Sequence, residues 1–227
     1  MIISIHIPKT AGSSLREMLQ IEFGARLMLD YGDWAGFDSP EAIAHRAART
    51  SKMRRRRDRL LASYDIIHGH FVADKYADLF SATDFVALFR DPCQQAVSNY
   101  FYLQQNPQIR HPAVKAFHDA KMTLHDYLRW NATGNPQTRL LGSVAIDTLA
   151  VVGLTEEFSR SIALFNATFG RRLTNPVFVN ANPAWHGGGY EIDADVRKMV
   201  ETHREADVAL YRRAKEIFAR QAASRRV

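Results

Sequence analysis

Apolar residues in this chain gather in short runs set apart by longer stretches of helical period. The runs cover residues 2–7, 64–68, 85–89, 149–154 and 177–180. Most are nearly unbroken, which suits strands of a parallel sheet covered on both faces. Between them, Leu15, Met18, Leu19 and Phe23 recur at helical spacing, as do Ala96, Val97, Tyr100 and Leu103. Asp91 before Pro92 reads as an N-cap followed by the first helical residue. Phe158, Ile162, Phe165 and Phe169 make another stripe, closed by Gly170. Val196, Met199, Val200, His203, Leu210, Tyr211, Ala214, Ile217 and Phe218 predict one long amphipathic helix. Residues 30–40 and 104–112 read as loops. Strands alternating with helices predict an α/β fold: three α/β/α layers around a central parallel sheet, in one domain over residues 1–227.

Composition narrows the function classes. The chain has 227 residues, 46% of them hydrophobic, enough for a sizeable core. No apolar stretch reaches the roughly 18 residues of a membrane span, and the N-terminus lacks the features of a signal peptide. The lone cysteine, Cys93, has no internal disulfide partner, which suits a reducing cytoplasm. The expected location is therefore cytoplasmic, where the sequons at Asn131 and Asn166 carry no glycan. Thirty basic against 24 acidic residues leave a net charge of +6, favouring anionic partners. Much of the excess lies in residues 46–59, with Arg220, Arg225 and Arg226 near the end. A solvated helix face accounts for the 46–59 run better than a nucleic-acid site does, because no aromatic residues interleave with it.

The first run leads straight into His6-Ile7-Pro8-Lys9-Thr10-Ala11-Gly12-Ser13-Ser14-Leu15. Strand, short loop and helix in this order make an anion site. The loop amides and the helix N-terminus aim N–H groups at one spot, and the helix dipole favours negative charge there. Lys9 adds a full charge, and Thr10, Ser13 and Ser14 add hydroxyls. The segment departs from the nucleotide-triphosphate loop: Lys9 precedes Gly12, and the first Gly is absent. The third run ends in Arg90-Asp91-Pro92, with Ser98 eight residues after Arg90. Arg90 thus sits at the carboxyl end of a buried strand, where open α/β sheets bind ligands, and a guanidinium grips phosphate with two N–H groups. Pairing of Arg90 with Asp91 or another carboxylate is the plain structural alternative.

Taken together, these two segments resemble the sulfotransferases, in particular the carbohydrate-type group that includes heparan sulfate 2-O-sulfotransferase and many bacterial relatives. The resemblance spans nearly the whole chain. It implies a fold of nucleotide-triphosphatase ancestry that takes 3′-phosphoadenosine 5′-phosphosulfate (PAPS) as sulfonyl donor, without a metal. Lys9, Thr10, Ala11, Gly12, Ser13 and Ser14 would bind the 5′-phosphosulfate, and Arg90 and Ser98 the 3′-phosphate. Segments 135–141, 152–156 and 179–183 are lesser echoes. Trp185 and His186 stand where relatives often carry Arg.

Residues 66–71, Ile-Ile-His-Gly-His-Phe, place His68 and His70 on one face of an extended backbone. Histidine titrates near neutrality and suits a general base. The resemblance puts such a pair at the catalytic centre, which makes His70 the expected base, His68 the second candidate, and Asp65 or Asp74 the carboxylates to test if both fail. Metal binding by the pair lacks an evident third ligand. The acceptor would be a carbohydrate, glycolipid or small-molecule hydroxyl, with no nucleic-acid partner. Two other classes compete: a kinase-like phosphotransferase, which would answer to ATP and magnesium, and a non-catalytic binder of anionic glycan or nucleic acid, which would answer to neither nucleotide.

Overall fold

The structure is a computed structural model and describes residues 1–33, 40–109, 112–130, 133–174 and 189–227. Five parallel strands form one sheet in the order β2-β3-β1-β4-β5: β1 (Ile2–Ile5), β2 (Leu27–Asp30), β3 (Ile66–Gly69), β4 (Phe85–Phe89) and β5 (Val151–Leu154). Every residue of β1, β3, β4 and β5 is buried. Successive side chains point to opposite faces, so both faces of the sheet are covered and the α/β layering holds. The helices are α1 (Gly12–Phe23), α2 (Pro40–Arg54), α3 (Arg57–Ser63), α4 (Asp74–Ala77), α5 (Pro92–Gln105) and α6 (Pro112–Asp119). They continue as α7 (Leu124–Arg129), α8 (Pro136–Leu141), α9 (Phe158–Phe169), α10 (Ala194–His203) and α11 (Glu205–Arg225).

Four of the five expected strands are present: 85–89 as expected, 64–68 shifted to 66–69, and 2–7 and 149–154 shortened to 2–5 and 151–154. The expected run at 177–180 lies outside the described residues. The strand the pattern did not predict is β2. Leu27-Met28-Leu29-Asp30 has no β-branched residue, and it becomes a strand by pairing with β3 from Leu27 opposite Ile66 to Asp30 opposite Gly69. Gly69 permits the approach, since a Cβ there would lie 1.8 Å from the Asp30 carbonyl oxygen.

α5 begins as predicted: the Asp91 carboxylate accepts from the Cys93 and Gln94 amides, with Pro92 at the first helical position. The single C-terminal helix is corrected to two. Arg204 leaves helical geometry between α10 and α11 (φ −134°, ψ 35°) and is fully buried. Its Nη1 donates to the Thr133 carbonyl at 3.0 Å, and its guanidinium lies 5.2 Å from the centre of the Tyr127 ring. α11 then runs beside β5, where Gln221 accepts from the Val152 amide and donates to the Leu149 carbonyl. A helix side chain thereby occupies backbone groups on an edge strand.

Candidate active site

β1, β3 and β4 lie side by side, and the turns leaving their C-terminal ends carry the candidate residues. Between β1 and α1 the chain makes a tight loop in which Lys9 and Ala11 both take left-handed backbone angles, φ 66° and 63°. Such angles are costly for residues with a Cβ and mark a functional loop when the surroundings hold them. The Thr10 hydroxyl donates to the Ile7 carbonyl at 2.9 Å, and Gln95 Nε2 donates to the Pro8 carbonyl at 3.0 Å. Arg90 Nη1 donates to the Lys9 carbonyl at 3.1 Å, so the two sequence motifs meet. Thr10 is thus buried and its proton is used inside the loop. Gly12 and Ser14 are also buried, and Ser13 is partly exposed. Ser98 is buried in α5. α1 starts without a side-chain cap and without an acidic residue in its first turn. Its first amides have no acceptor within the helix and face the loop.

Lys9 and Arg90 form a pair of cations without an ion pair among the described residues. The Lys9 ammonium lies 4.4 Å from the centre of the Tyr102 ring. Burial, followed by the neighbouring Arg90 charge, lowers its pKa to about 8. Burial likewise lowers that of Arg90. Asp91 does not pair with Arg90, because its carboxylate caps α5. The Arg90 backbone is clamped instead. Gln137 Oε1 accepts from its amide and Gln137 Nε2 donates to its carbonyl, both at 2.9 Å. Glu156 accepts from the Asp91 amide and from the Tyr211 hydroxyl. Buried Asp207 in turn accepts from the Gln137 and Thr138 amides and the Thr138 hydroxyl. The weak echoes at 135–141 and 152–156 are thus the support that aims Arg90.

Beside this pair stands a cluster of three imidazoles and a phenol. Ile5 is opposite Gly69 in the β1–β3 register, so His6 and His70 follow at corresponding positions. Their ring centres are 4.1 Å apart, and His6 stacks on His68 at 5.1 Å. The Tyr31 hydroxyl is 2.8 Å from His6 Nδ1. Gly12 makes room for the His6 ring, since a Cβ there would lie 1.9 Å from His6 Cδ2. His68 is fully buried, with Nδ1 2.8 Å from the Ser4 hydroxyl. His70 is partly exposed, and its Nδ1 lies 2.5 Å from the His6 carbonyl oxygen. A carbonyl can only accept, so Nδ1 of His70 carries the proton and Nε2 keeps its lone pair.

All three imidazoles are held neutral. Burial, then the neighbouring His70, lowers the pKa of His68 to about 3. Burial outweighs the bond to the His6 carbonyl and lowers that of His70 to about 4. His6 is pushed well below the usual range by burial, then by His70 and His68, with smaller effects from Arg16 and Lys9. Burial raises the Tyr31 hydroxyl to about 12, against a hydrogen bond from Arg16.

The residues that sequence reasoning missed are His6, Tyr31 and Arg16. His6 opens the loop motif, and its role follows once β1 and β3 are placed side by side. Tyr31 depends on the unpredicted strand β2. Among the described residues no cluster of His, Cys, Asp or Glu has metal-holding geometry; the imidazoles stack ring on ring. Asp65 pairs with Arg26 ahead of β3, at the end of the sheet away from His70. Asp74 is bonded to the Ser143 amide and hydroxyl. Burial, then Asp91, raises the Cys93 thiol to about 11, as expected of a packing residue. Trp185, His186 and the 179–183 segment lie outside the described residues.

No protein-family model matches the chain, and no curated protein does. Among solved structures the chain is similar to the crystal structure of a sulfotransferase from Alicyclobacillus acidocaldarius. The TM-score is 0.47 and the identity 16%, over 99% of this chain and 98% of that one.

Proposed function

We propose that this chain is a PAPS-dependent sulfotransferase that moves a sulfonyl group to an acceptor hydroxyl, in the cytoplasm, as a single domain. The observation that carries the reading is the Lys9–Arg90 pair. Two half-buried cations that form no ion pair among the described residues, set beside the open N-terminus of α1, favour a bound anion. Next to them stands a neutral imidazole with an available lone pair. That is the equipment for transferring an anionic group to a hydroxyl.

The acceptor oxygen bonds to sulfur as its proton passes to His70 Nε2. The bond from sulfur to the bridging oxygen breaks, and its electron pair leaves with adenosine 3′,5′-bisphosphate. Lys9 neutralises charge growing on that oxygen, and the amides of residues 10–14 add fixed dipoles. Positioning and charge dominate, as in phosphoryl transfer. Arg90, its backbone clamped by Gln137, and Ser98 hold the 3′-phosphate. His68, sealed under His6, orients its neighbours and does not take the proton.

For the acceptor we propose a hydroxyl-rich carbohydrate or glycolipid. A cavity of about 460 Å³ between α2, α4 and α8 includes Val72 and Asp74, shortly after His70 in the chain, and Arg46, Arg54 and Arg139. A wall of alternating charge suits a ligand with many hydroxyls.

The test separates binding from chemistry. His70→Ala should keep its affinity for adenosine 3′,5′-bisphosphate by calorimetry and lose turnover of PAPS by about 10²–10⁴-fold. Near-normal turnover in His70→Ala would remove His70 from the mechanism. Heat evolved with ATP and magnesium but not with the bisphosphate would favour a kinase-like enzyme instead.

A further inference from the structure

We propose that the corner joining α2 to α3 is a docking site for an anionic phospholipid at a membrane surface. The corner lies near the N-terminal ends of β2 and β3, away from the imidazole cluster. A cavity of about 460 Å³ opens there, with Met28, Met53, Leu60 and Tyr64 around it and Arg56 and Arg59 beside them. Met53 and Leu60 are buried, Met28 and Tyr64 are half-buried, and both arginines are exposed. An apolar recess next to two cations matches an amphiphile with an anionic head.

The charges around the recess are available. Elsewhere in the basic segment arginines are engaged: Arg49 with Asp30 and Asp33, Arg54 with Asp78, and Arg57 with Asp58 and the Leu79 carbonyl. Asp58 is the one acidic residue between positions 42 and 64, and Arg57 takes it. Lys52, Arg55, Arg56 and Arg59 form no side-chain hydrogen bond or ion pair among the described residues, and all four are exposed. A guanidinium pair can hold a phosphodiester, and unbranched methionine side chains adapt to an acyl chain. Each basic side chain near an anionic bilayer strengthens binding by roughly fivefold. Nucleic acid fits less well, because Tyr64 is the one ring in a recess whose other apolar lining is methionine and leucine, where stacking of successive bases needs several flat rings. No helix among the described residues is long and apolar enough to span a membrane, so attachment here would be peripheral.

The experiment is co-sedimentation of the full chain with vesicles of equal parts phosphatidylglycerol and phosphatidylcholine, and with phosphatidylcholine alone. We expect binding to the first and little to the second. Arg56→Gln with Arg59→Gln removes two charges at the recess. Lys52→Gln with Arg55→Gln removes two charges outside it. The first double variant should lose at least roughly 25-fold in affinity, two charges at fivefold each, and clearly more than the second. Short-chain phosphatidylglycerol below its micelle concentration should raise the wild-type melting temperature, and inorganic phosphate should not do so through this corner. The donor-site variant Arg90→Ala should bind vesicles like wild type, which separates this proposal from the catalytic one. Equal losses in the two double variants, or heparin or RNA bound more tightly than anionic vesicles through these residues, would overturn the lipid site. Absence of binding to anionic vesicles would do the same.

Discussion

Two groups of buried charge stand at the C-terminal end of this sheet, and they are built on opposite principles. Beyond β2, Asp30 and Asp33 face Lys75 and Arg49, and the Tyr76 hydroxyl donates to Asp30. Lys75 Nζ is 2.7 Å from Asp33, and its side chain is almost fully buried. Burial alone would raise the Asp30 carboxyl, but Lys75, Tyr76 and Arg49 outweigh it and hold it below its usual range. Two cations meet two anions, so this group is internally complete. Beyond β1 and β4, Lys9 and Arg90 lie by the Tyr102 and Tyr190 rings and a backbone carbonyl, feel Glu156 and Asp91 only at a distance, and form no ion pair among the described residues. The complete group needs no further partner, and the incomplete one is the place proposed above for the anionic donor.

The widest contrast comes from removing one cation from each group. Lys75→Met should cost about 3–5 kcal/mol in denaturant unfolding, because it leaves two buried carboxylates with Arg49 alone. Lys9→Met should leave the ligand-free protein unchanged or more stable, by up to about 1 kcal/mol, since its charge is disfavoured where it stands. If Lys9→Met destabilised as much as Lys75→Met, the two groups would not differ in kind. A smaller effect concerns the ligand: Arg90→Ala should weaken adenosine 3′,5′-bisphosphate by about 1.5–3 kcal/mol, and adenosine 5′-phosphate much less. Equal losses for both nucleotides would mean that Arg90 does not read the 3′-phosphate.

The imidazole cluster adds a pH test of the same boundary. His68 has its pKa lowered to about 3, so between pH 6.5 and that value the unfolded chain binds a proton that the fold refuses. Stability should therefore fall with acid from pH 6.5 downward, by about 2 kcal/mol at pH 5 from His68 alone. Unfolding curves across this range, compared with His68→Asn, check the sign and size. His70, lowered to about 4, stays an available base across the neutral range, so turnover should fall only as pH approaches that value. A rate midpoint near 6.5 would contradict His70, with its pKa lowered to about 4, as the base.

Local punctuation made part of this architecture legible before the structure. Asp91-Pro92 and Gly170 mark real helix ends, because caps and breakers act within a turn. The meeting of the loop around Lys9 with Arg90, just after β4, follows from the same local signals, since both segments leave buried parallel strands. What depends on distant partners was not legible. β2 is a strand through its pairing with β3, and it carries Tyr31 to His6. The apolar stripe runs on through the break at Arg204, since α10 and α11 both bury apolar faces and the break is set by Arg204 turning inward to Thr133. His6 looked like part of a loop motif, and its contact with His70 spans 64 positions of sequence. Thr10 reads as a ligand donor in the motif, yet its hydroxyl proton is used to fasten the loop.

The most direct measurement is calorimetric titration of the chain with adenosine 3′,5′-bisphosphate near pH 9, in two buffers of different ionisation enthalpy. Free Lys9, with a pKa of about 8, is then mostly neutral. An anion placed against it raises that pKa, so binding should take up a fraction of a proton, and the same nucleotide at a hundred times its Kd should add about 2.7 kcal/mol to stability. Binding with no proton uptake, or no binding at all, would contradict the claim that Lys9 and Arg90 are left unpaired for the donor nucleotide.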